Sequence, residues 1–472
     1  MQRVNDTKPN PSETYGLASA WLRLRGHPAS QPGLETLPHI PVNIANVETL
    51  ASPEAFRTTL LAQIAQARQR ILISAPYLQD DDGGREVLAA LYSAKKQYPQ
   101  LTVAVFVDWH RAQRGLIGKA RSAGNAAFYQ EMAQRLGPGV DVYGVPVQGR
   151  EFLGVMHLKG FVIDDKVLYS GASLNDVYLH RHQRYRLDRY HLIHSRALAD
   201  SMASLLAGFF ASSAAVHPLD TGEAPKTQVI RSAIIRFRRA LAKTRYPFDG
   251  ATMQTGQVGI TPLIGIGTRD NELNRSIVQL IQRAQQQLVL LTPYFNLPGP
   301  IRRAVDAKIK AGCKVTVVVG DKSANDFYIP PTEPFKAIGA LPYLYEANLR
   351  RFCKAHQKAI DAGRLNVHLW QHDDNTFHLK GLLVDDDYCL LTGNNLNPRA
   401  WRLDLENGLL IHDPQQLMLA QNRAELERIL KHTQRLATHL ALDAVETYPA
   451  PVQRLLKRLA RVRADRLVNQ ML

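Results

Sequence analysis

His157-Leu158-Lys159-Gly160-Phe161-Val162-Ile163-Asp164 and His378-Leu379-Lys380-Gly381-Leu382-Leu383-Val384-Asp385 are nearly the same eight residues, met twice in one chain. Both read H-x-K-x4-D. With ordinary residue frequencies, two chance matches in a chain of this length are roughly a one-in-a-thousand event. Each motif runs into an apolar stretch of strand character, where residues i and i+2 share a face. The histidine and lysine of each copy are therefore predicted to point the same way.

Working outward, the whole chain repeats around these motifs. FRTTLLAQIAQARQR leads into ILISAPYL, and LNRSIVQLIQRAQQQ leads into LVLLTPYF, so that Pro76-Tyr77 and Pro293-Tyr294 close equivalent strands. Each is followed by a helical segment (REVLAALYSAKKQ; IRRAVDAKIKAG) and a strand (LTVAVFVD; CKVTVVVGD). Each copy then supplies a strand before its histidine (VDVYGVP; LNVHLWQ) and one after it (GFVID; GLLVD). Short apolar runs alternating with helices predict α/β domains whose sheets are mostly parallel and buried. Two copies predict two such domains related by a pseudo-two-fold, with one active site at their interface drawing matching residues from each.

Two histidines and two lysines on one axis point to phosphodiester chemistry. Attack at phosphorus builds negative charge on the non-bridging oxygens, and two lysines with nearby amides balance it without a metal. One imidazole forms a phospho-histidine; the other protonates the leaving oxygen and later deprotonates the acceptor. Asp164 and Asp385 have the opposite strand parity from the lysines, which favours a structural role over substrate contact. Asp80-Asp81-Asp82 and Asp385-Asp386-Asp387 read as solvated turns, and no metal or cofactor is expected.

A net charge of +16 across 472 residues favours an anionic partner. Three cysteines, Cys313, Cys353 and Cys389, give no disulfide framework and fit a reducing compartment. The opening MQRVNDTKPNPSETYG lacks the apolar core of a signal peptide. The most apolar stretch, Ala203–Val216, falls short of the ~20 residues a spanning helix needs, so any membrane contact is expected to be peripheral.

These residues resemble the signature of the phospholipase D superfamily over nearly the whole chain after its first forty or so residues. Within it, HLKGFVIDDKVLYSGASLNDVYLH, VDWHRAQRG, DKSANDFYIP, GALPYLYE and HLKGLLVDDDYCLLTGNNLNPRAWRLDLEN are similar to the bacterial phosphatidylserine synthases of phospholipase D type. The resemblance implies two phospholipase-D-type α/β sandwich domains. It also implies transfer of a phosphatidyl group from CDP-diacylglycerol to the hydroxyl of L-serine with release of CMP, at the inner, cytoplasmic face of the membrane and with no nucleic-acid partner. The superfamily carries an asparagine three residues after the motif glycine. Here the asparagine shared by both copies stands four after it, at Asn175 and Asn397, with Asn395 nearer the usual spacing; these three are the phosphate-binding candidates. The superfamily also supplies a downstream acid that orients the partner copy's histidine. Glu406 in RLDLENG fits, whereas the aligned segment RLDRYHL sets Tyr190 opposite Glu406 and leaves Asp188 as the acid. If Glu406 reaches His157, His157 is the nucleophile and His378 the acid/base.

Serine must outcompete water, which requires groups for its carboxylate and ammonium; Arg111 and Asp326 are the candidates. Tyr328 lies with Phe327 in a Pro-rich stretch read either as an ordinary loop or as a lid over cytidine or acyl chains. The expected organisation is a loosely ordered leader (1–45), a first domain (46–217), a connector (218–260), a second domain (261–445) and a basic amphipathic helix (446–472). In that helix Val452, Leu455, Leu456, Leu459 and Val462 form a stripe among Arg454, Lys457, Arg458, Arg461, Arg463 and Arg466, a pattern suited to an anionic bilayer surface. Competing readings are a different acceptor, such as water or another phospholipid, a phospholipase-D-type nuclease, or a non-enzymatic adaptor. The paired motifs speak against the last, and the presence of both in one chain speaks against small dimeric nucleases.

Overall fold

The computed structural model describes residues 33–115 and 124–461. Local chemistry sets the helix starts. The Ser52 hydroxyl accepts a hydrogen bond from the Ala55 amide, and Pro53 opens the helix Pro53–Gln66 at a position where no amide hydrogen is needed. Phe56, Leu60 and Ile64 recur every four residues of that helix and are fully buried. Asp81 caps the next helix, Asp82–Gln97, in the same manner.

Numbered along the chain, the strands are β1 (Ile40–Asn43), β2 (Val47–Thr49), β3 (Arg70–Ser74), β4 (Thr102–Asp108), β5 (Asp141–Val145), β6 (Gly160–Ile163), β7 (Lys166–Ser170), β8 (Arg186–Leu187), β9 (Tyr190–His194) and β10 (His217–Pro218). They continue with β11 (Gln257–Ile266), β12 (Gln287–Thr292), β13 (Lys314–Gly320), β14 (Leu365–Trp370), β15 (Thr376–Phe377), β16 (Gly381–Val384), β17 (Tyr388–Thr392), β18 (Leu405–His412) and β19 (Thr433–Arg435). One sheet has the order β10-β5-β4-β3-β6-β7-β9-β2, the other β1-β11-β18-β17-β16-β12-β13-β14-β19. The run β5-β4-β3-β6-β7-β9 of the first matches β14-β13-β12-β16-β17-β18 of the second, so the repeat in sequence is a repeat in topology. The described residues from Pro38 onward form one compact unit, and its largest apolar cluster runs through both sheets, from Ile40 to Met418.

The expectation of mostly parallel sheets needs correction. Only β3-β4-β5 and β12-β13-β14 are parallel; every other ladder within the two large sheets is antiparallel. In each copy one of these ladders comes from the turn that ends the motif. Asp164 (φ 51°), Asp385 (φ 49°) and Asp386 (φ 61°) adopt left-handed backbone, which aspartate tolerates and which folds β6 directly back on β7, and β16 on β17, as tight hairpins. A strand buried on both faces reads as a continuous apolar run in either direction, so composition does not separate the two cases.

Four segments differ from, or refine, the expected organisation. Ile40–Asn43, assigned to the leader, is β1 and pairs with Val258 and its neighbours in β11. Within residues 33–37 there is a short turn at Leu34–Thr36; residues 1–32 lie outside the described residues. The connector contains the helix Arg231–Leu241, anchored by buried Ile234, Phe237 and Leu241, and β11 begins inside it at Gln257. The C-terminal helix spans Ala450–Arg461. Its Val452, Leu455 and Leu456 pack with Ala340, Tyr343 and Tyr448, while Arg454, Lys457 and Arg458 are exposed. That stripe therefore closes on its own chain, and Val462, Arg463 and Arg466 lie outside the described residues. No helix among the described residues is long and apolar enough to cross a membrane.

Candidate active site

The two motifs meet, and each is held by the other copy. His157 and Lys159 lie in the three extended residues leading into β6, and His378 and Lys380 in those leading into β16, just ahead of the strands. Met156 bridges to Leu405, and the His157 amide donates to the Leu405 carbonyl at 2.9 Å. Reciprocally, β15 pairs with β8, and the His378 amide donates to the Leu187 carbonyl at 2.9 Å. The residue after each of these carbonyls is an acid: Glu406 on one side and Asp188 on the other. Asp188, not Tyr190, is thus the counterpart of Glu406, a two-residue correction to the sequence alignment.

The two acids engage differently. Both carboxylate oxygens of Glu406 lie 2.9 and 3.0 Å from His157 Nδ1. A carboxylate accepts, so Nδ1 carries the hydrogen and Nε2 keeps its lone pair. Asp188 accepts instead from Lys380 Nζ at 2.7 Å and stands 3.5 Å from His378 Nδ1. That nitrogen also lies 2.9 Å from the Tyr178 hydroxyl and in contact with Lys380 Nζ. Among the described residues no hydrogen bond occupies Nε2 of either histidine. Lys159 is fixed by Asn407, whose side-chain oxygen accepts from the Lys159 amide at 2.9 Å and whose nitrogen donates to the Lys159 carbonyl at 2.8 Å.

Burial governs the titration of this cluster. It pushes His157 well below the ordinary histidine range, and Lys159, Arg111, Lys380 and His378 add to the effect. Burial and then Lys380 bring His378 down to about 4, with Asp188 and Asp326 opposing. Both lysines are depressed by burial as well. Burial, with Asp404 adding to it, raises the Glu406 carboxyl well above the ordinary carboxylate range, and Lys159, Lys380 and Arg111 oppose without cancelling the effect. Two neutral imidazoles framed by buried lysines and acids suit attack on, and proton transfer around, an anionic phosphodiester.

Two glycines make this approach possible. A Cβ on Gly171 would fall 2.6 and 2.7 Å from the Asp188 carboxylate oxygens and 2.9 Å from Lys380 Nζ, and one on Gly393 would fall 2.8 Å from Lys159 Cγ. The glycine following each hairpin thus makes room for the other copy's lysine.

Other candidates fall elsewhere. Asp164 accepts from the backbone amides of Arg68, Gln69 and Arg70, and Asp385 from those of Gln285, Gln286 and Gln287. Both sit at the far ends of β6 and β16 and brace the entry to β3 and β12. Asn397 caps the helix Pro398–Arg402, its oxygen accepting from the Ala400 amide, and the Asn175 oxygen accepts from the Tyr178 amide within a turn. Asn395 Oδ1 and Asn394 Nδ2 are buried without a hydrogen bond among the described residues, so the uncommitted amides are at that turn.

Arg111 belongs to the His157 side, where it depresses both His157 and Lys159 and lies 3.6 Å from Glu151; its Nε is buried without a hydrogen bond. Asp326 belongs to the His378 side, accepting from the Tyr294 hydroxyl at 2.5 Å and lying 3.6 Å from Arg186. Tyr328 turns away and packs toward Tyr343 and the C-terminal helix; it is Phe327 that approaches Tyr294.

Tyr178, Tyr294, Arg186 and Asn407 were not singled out from sequence. Tyr294 carried a signal, since Pro-Tyr closes the same strand in both copies, and its ring meets His378 edge-on at 5.9 Å, as Tyr178 does at 5.6 Å.

Comparison with known proteins is consistent with this geometry. Residues 277–430 match the family described as cardiolipin synthase, PLD-like domain. The chain is 51% identical to the CDP-diacylglycerol–serine O-phosphatidyltransferase PssA of Escherichia coli over 94% of this chain and 98% of that one. It is 47% identical to the CDP-diacylglycerol–serine O-phosphatidyltransferase of Haemophilus influenzae over the same shares of the two chains. The crystal structure of phosphatidylserine synthase from Haemophilus influenzae superposes with a TM-score of 0.90, covering 93% of this chain and 98% of that chain.

Proposed function

The chain belongs to the CDP-diacylglycerol–serine O-phosphatidyltransferase family, and from that premise we propose that it transfers the phosphatidyl group of CDP-diacylglycerol to L-serine, through a phosphatidyl-histidine on His157. The observation that carries the assignment is the bidentate approach of Glu406 to His157 Nδ1, which leaves Nε2 as the nucleophilic nitrogen. Nε2 attacks the phosphatidyl phosphorus, the phosphorus–oxygen bond to CMP breaks, and CMP departs. Its leaving oxygen belongs to a phosphate whose second dissociation lies near pH ~6, so departure requires little help from an acid. His378, already neutral, is then poised as the base: Nε2 takes the serine hydroxyl proton, the serine oxygen attacks phosphorus, and the phosphorus–nitrogen bond breaks. Lys159 and Lys380 balance the charge on the non-bridging oxygens. Asn394 and Asn395 supply further polar contacts to the phosphate, and Asp164 and Asp385 hold the strand ends.

The lipid donor resides in a bilayer, and the exposed Arg454, Lys457 and Arg458 of the C-terminal helix support peripheral docking on an anionic, cytoplasm-facing surface. The test uses CDP-diacylglycerol labelled in its lipid phosphate, in mixed micelles. Without serine, the purified enzyme should release CMP and retain label on protein; with serine, the label should pass to phosphatidylserine. His157→Ala should abolish the protein-bound label. Label that persists in His157→Ala and disappears in His378→Ala would reverse the two roles, and failure to form phosphatidylserine would remove the proposed activity.

A further inference from the structure

Resting on the reading that His378 is the base for the acceptor, we propose that Arg186 and Asp326 form the recognition site for a zwitterionic amino-acid acceptor. Arg186 would take the carboxylate and Asp326 the ammonium. Geometry carries this: the Tyr178 and Tyr294 rings meet His378 edge-on at 5.6 and 5.9 Å, Arg186 lies over the first ring, and the hydroxyl of the second donates to Asp326; the division of charge in the cluster agrees with it. Arg111 acts electrostatically on His157 and Lys159, the side where the donor phosphate is attacked. Asp326 acts on His378, the side where a hydroxyl loses its proton. An acceptor must present its hydroxyl to His378 Nε2, so its charged groups meet the residues around that ring.

Those residues are of two opposite charges and are set for the task. Asp326 is 17% exposed and Arg186 15%, and they stand 3.6 Å apart, wider than a direct hydrogen bond. Arg186 is oriented from behind: its Nε donates to the Thr376 hydroxyl at 3.0 Å, and its guanidinium lies over the Tyr178 ring at 5.0 Å. Among the described residues its Nη atoms have no hydrogen bond closer than the Asp326 approach, which leaves that edge of the fork to receive a carboxylate in two-pronged fashion. Asp326 is oriented by Tyr294, which occupies Oδ1, while Oδ2 faces Arg186 Nη1 across 3.6 Å and would exchange that partner for an ammonium. Asp326 is held below the ordinary carboxylate range, with Arg186 and His378 acting against the effect of burial. A zwitterion laid across this pair meets each charge with its opposite. An acceptor lacking either charge leaves one of the two half-buried and unmatched.

Transfer is measured to L-serine, to ethanolamine, which lacks the carboxylate, and to 3-hydroxypropanoate, which lacks the ammonium. The quantity read is the ratio of kcat/KM values, which does not depend on how much of a variant folds. Arg186→Gln should reduce the serine-to-ethanolamine preference by about 30-fold or more and leave the serine-to-3-hydroxypropanoate preference within about threefold, since a charged hydrogen bond at such a site is worth a factor of roughly ten to a hundred. Asp326→Asn should do the reverse. Most of each loss should appear in KM for serine, which a general disturbance of His378 would not produce. If both variants keep the wild-type preferences, the assignment is wrong, even where overall rates have dropped. If the wild-type enzyme does not use serine at all, the proposed activity fails first.

Discussion

Replacing Glu406 by Gln keeps the volume of the side chain and removes its charge, which makes it the sharpest probe of the histidine assignment. Both Glu406 oxygens lie within 3.0 Å of His157 Nδ1, and the residue is 1% exposed. When Nε2 bonds to phosphorus, the ring becomes cationic beside that carboxylate. Two unit charges about 3 Å apart at an effective dielectric near 20 attract by about 5 kcal/mol. A glutamine amide recovers part of this with a neutral hydrogen bond of about 1 kcal/mol. In the orientation that turns its N–H toward Nδ1, it also moves the ring proton to Nε2 and blocks the attacking atom. The first-turnover release of CMP should therefore slow by about a thousandfold, the equivalent of ~4 kcal/mol. Rapid-quench measurement of CMP from CDP-diacylglycerol micelles reads this directly. A rate within tenfold of wild type would refute the premise that Glu406 orients the nucleophile. Asp188→Asn supplies the contrast. Asp188 holds Lys380 at 2.7 Å and is farther from His378, so its loss should slow the serine-dependent step more than the first release of CMP.

Because His378 titrates at about 4, transfer to serine should hold as pH falls to about 5 and decline below it, when protonation removes the base; kcat for serine measured from pH 4 to 9 checks this. On the alkaline side, depressed lysines should bring the loss of kcat/KM for the donor to a pH below the ordinary lysine range. Asp385→Ala removes the acceptor of three backbone amides and should lower unfolding free energy by about 1–3 kcal/mol in urea titration, with turnover per folded molecule changed far less. Reversing Arg454, Lys457 and Arg458 to Glu should weaken sedimentation with anionic vesicles at low salt, each position mattering by about 1 kcal/mol or more; wild-type binding that ignores salt would contradict the electrostatic docking. Activity should persist in excess EDTA, since the lysines supply the positive charge at phosphorus; inhibition reversed by magnesium would point to a missing cation.

The paired motifs, the strand–helix succession and the equivalence of the two Pro-Tyr strand ends were legible because burial forces apolar runs of fixed length and chemistry fixes H-x-K spacing. Strand direction was not legible, for the reason that Asp164 and Asp385 turn the chain tightly at points where the composition alone would equally allow a crossover. The slip at Asp188 has a local cause: Tyr190-His191-Leu192 and Gly408-Leu409-Leu410 fill equivalent strands with side chains of very different size, and a match on apolar pattern slides by one strand period. Arg186 escaped notice because the repeat is broken there. Its counterpart ahead of Glu406 is Asp404, which instead accepts from the Val155 amide at 3.0 Å. Symmetry in the sequence therefore pointed to the shared phosphate chemistry and away from the residues at which the two sides of the site diverge.

The reciprocal backbone bonds, His157 to Leu405 and His378 to Leu187, have a consequence for how the molecule comes into being. During synthesis the first histidine emerges long before the acid it leans on, and the second emerges long after the strand that will hold it. Neither half, alone on the ribosome or freed by a proteolytic nick, owns a complete catalytic unit. The Glu406 contact to His157 therefore exists only once β18 has closed against the segment ahead of β6.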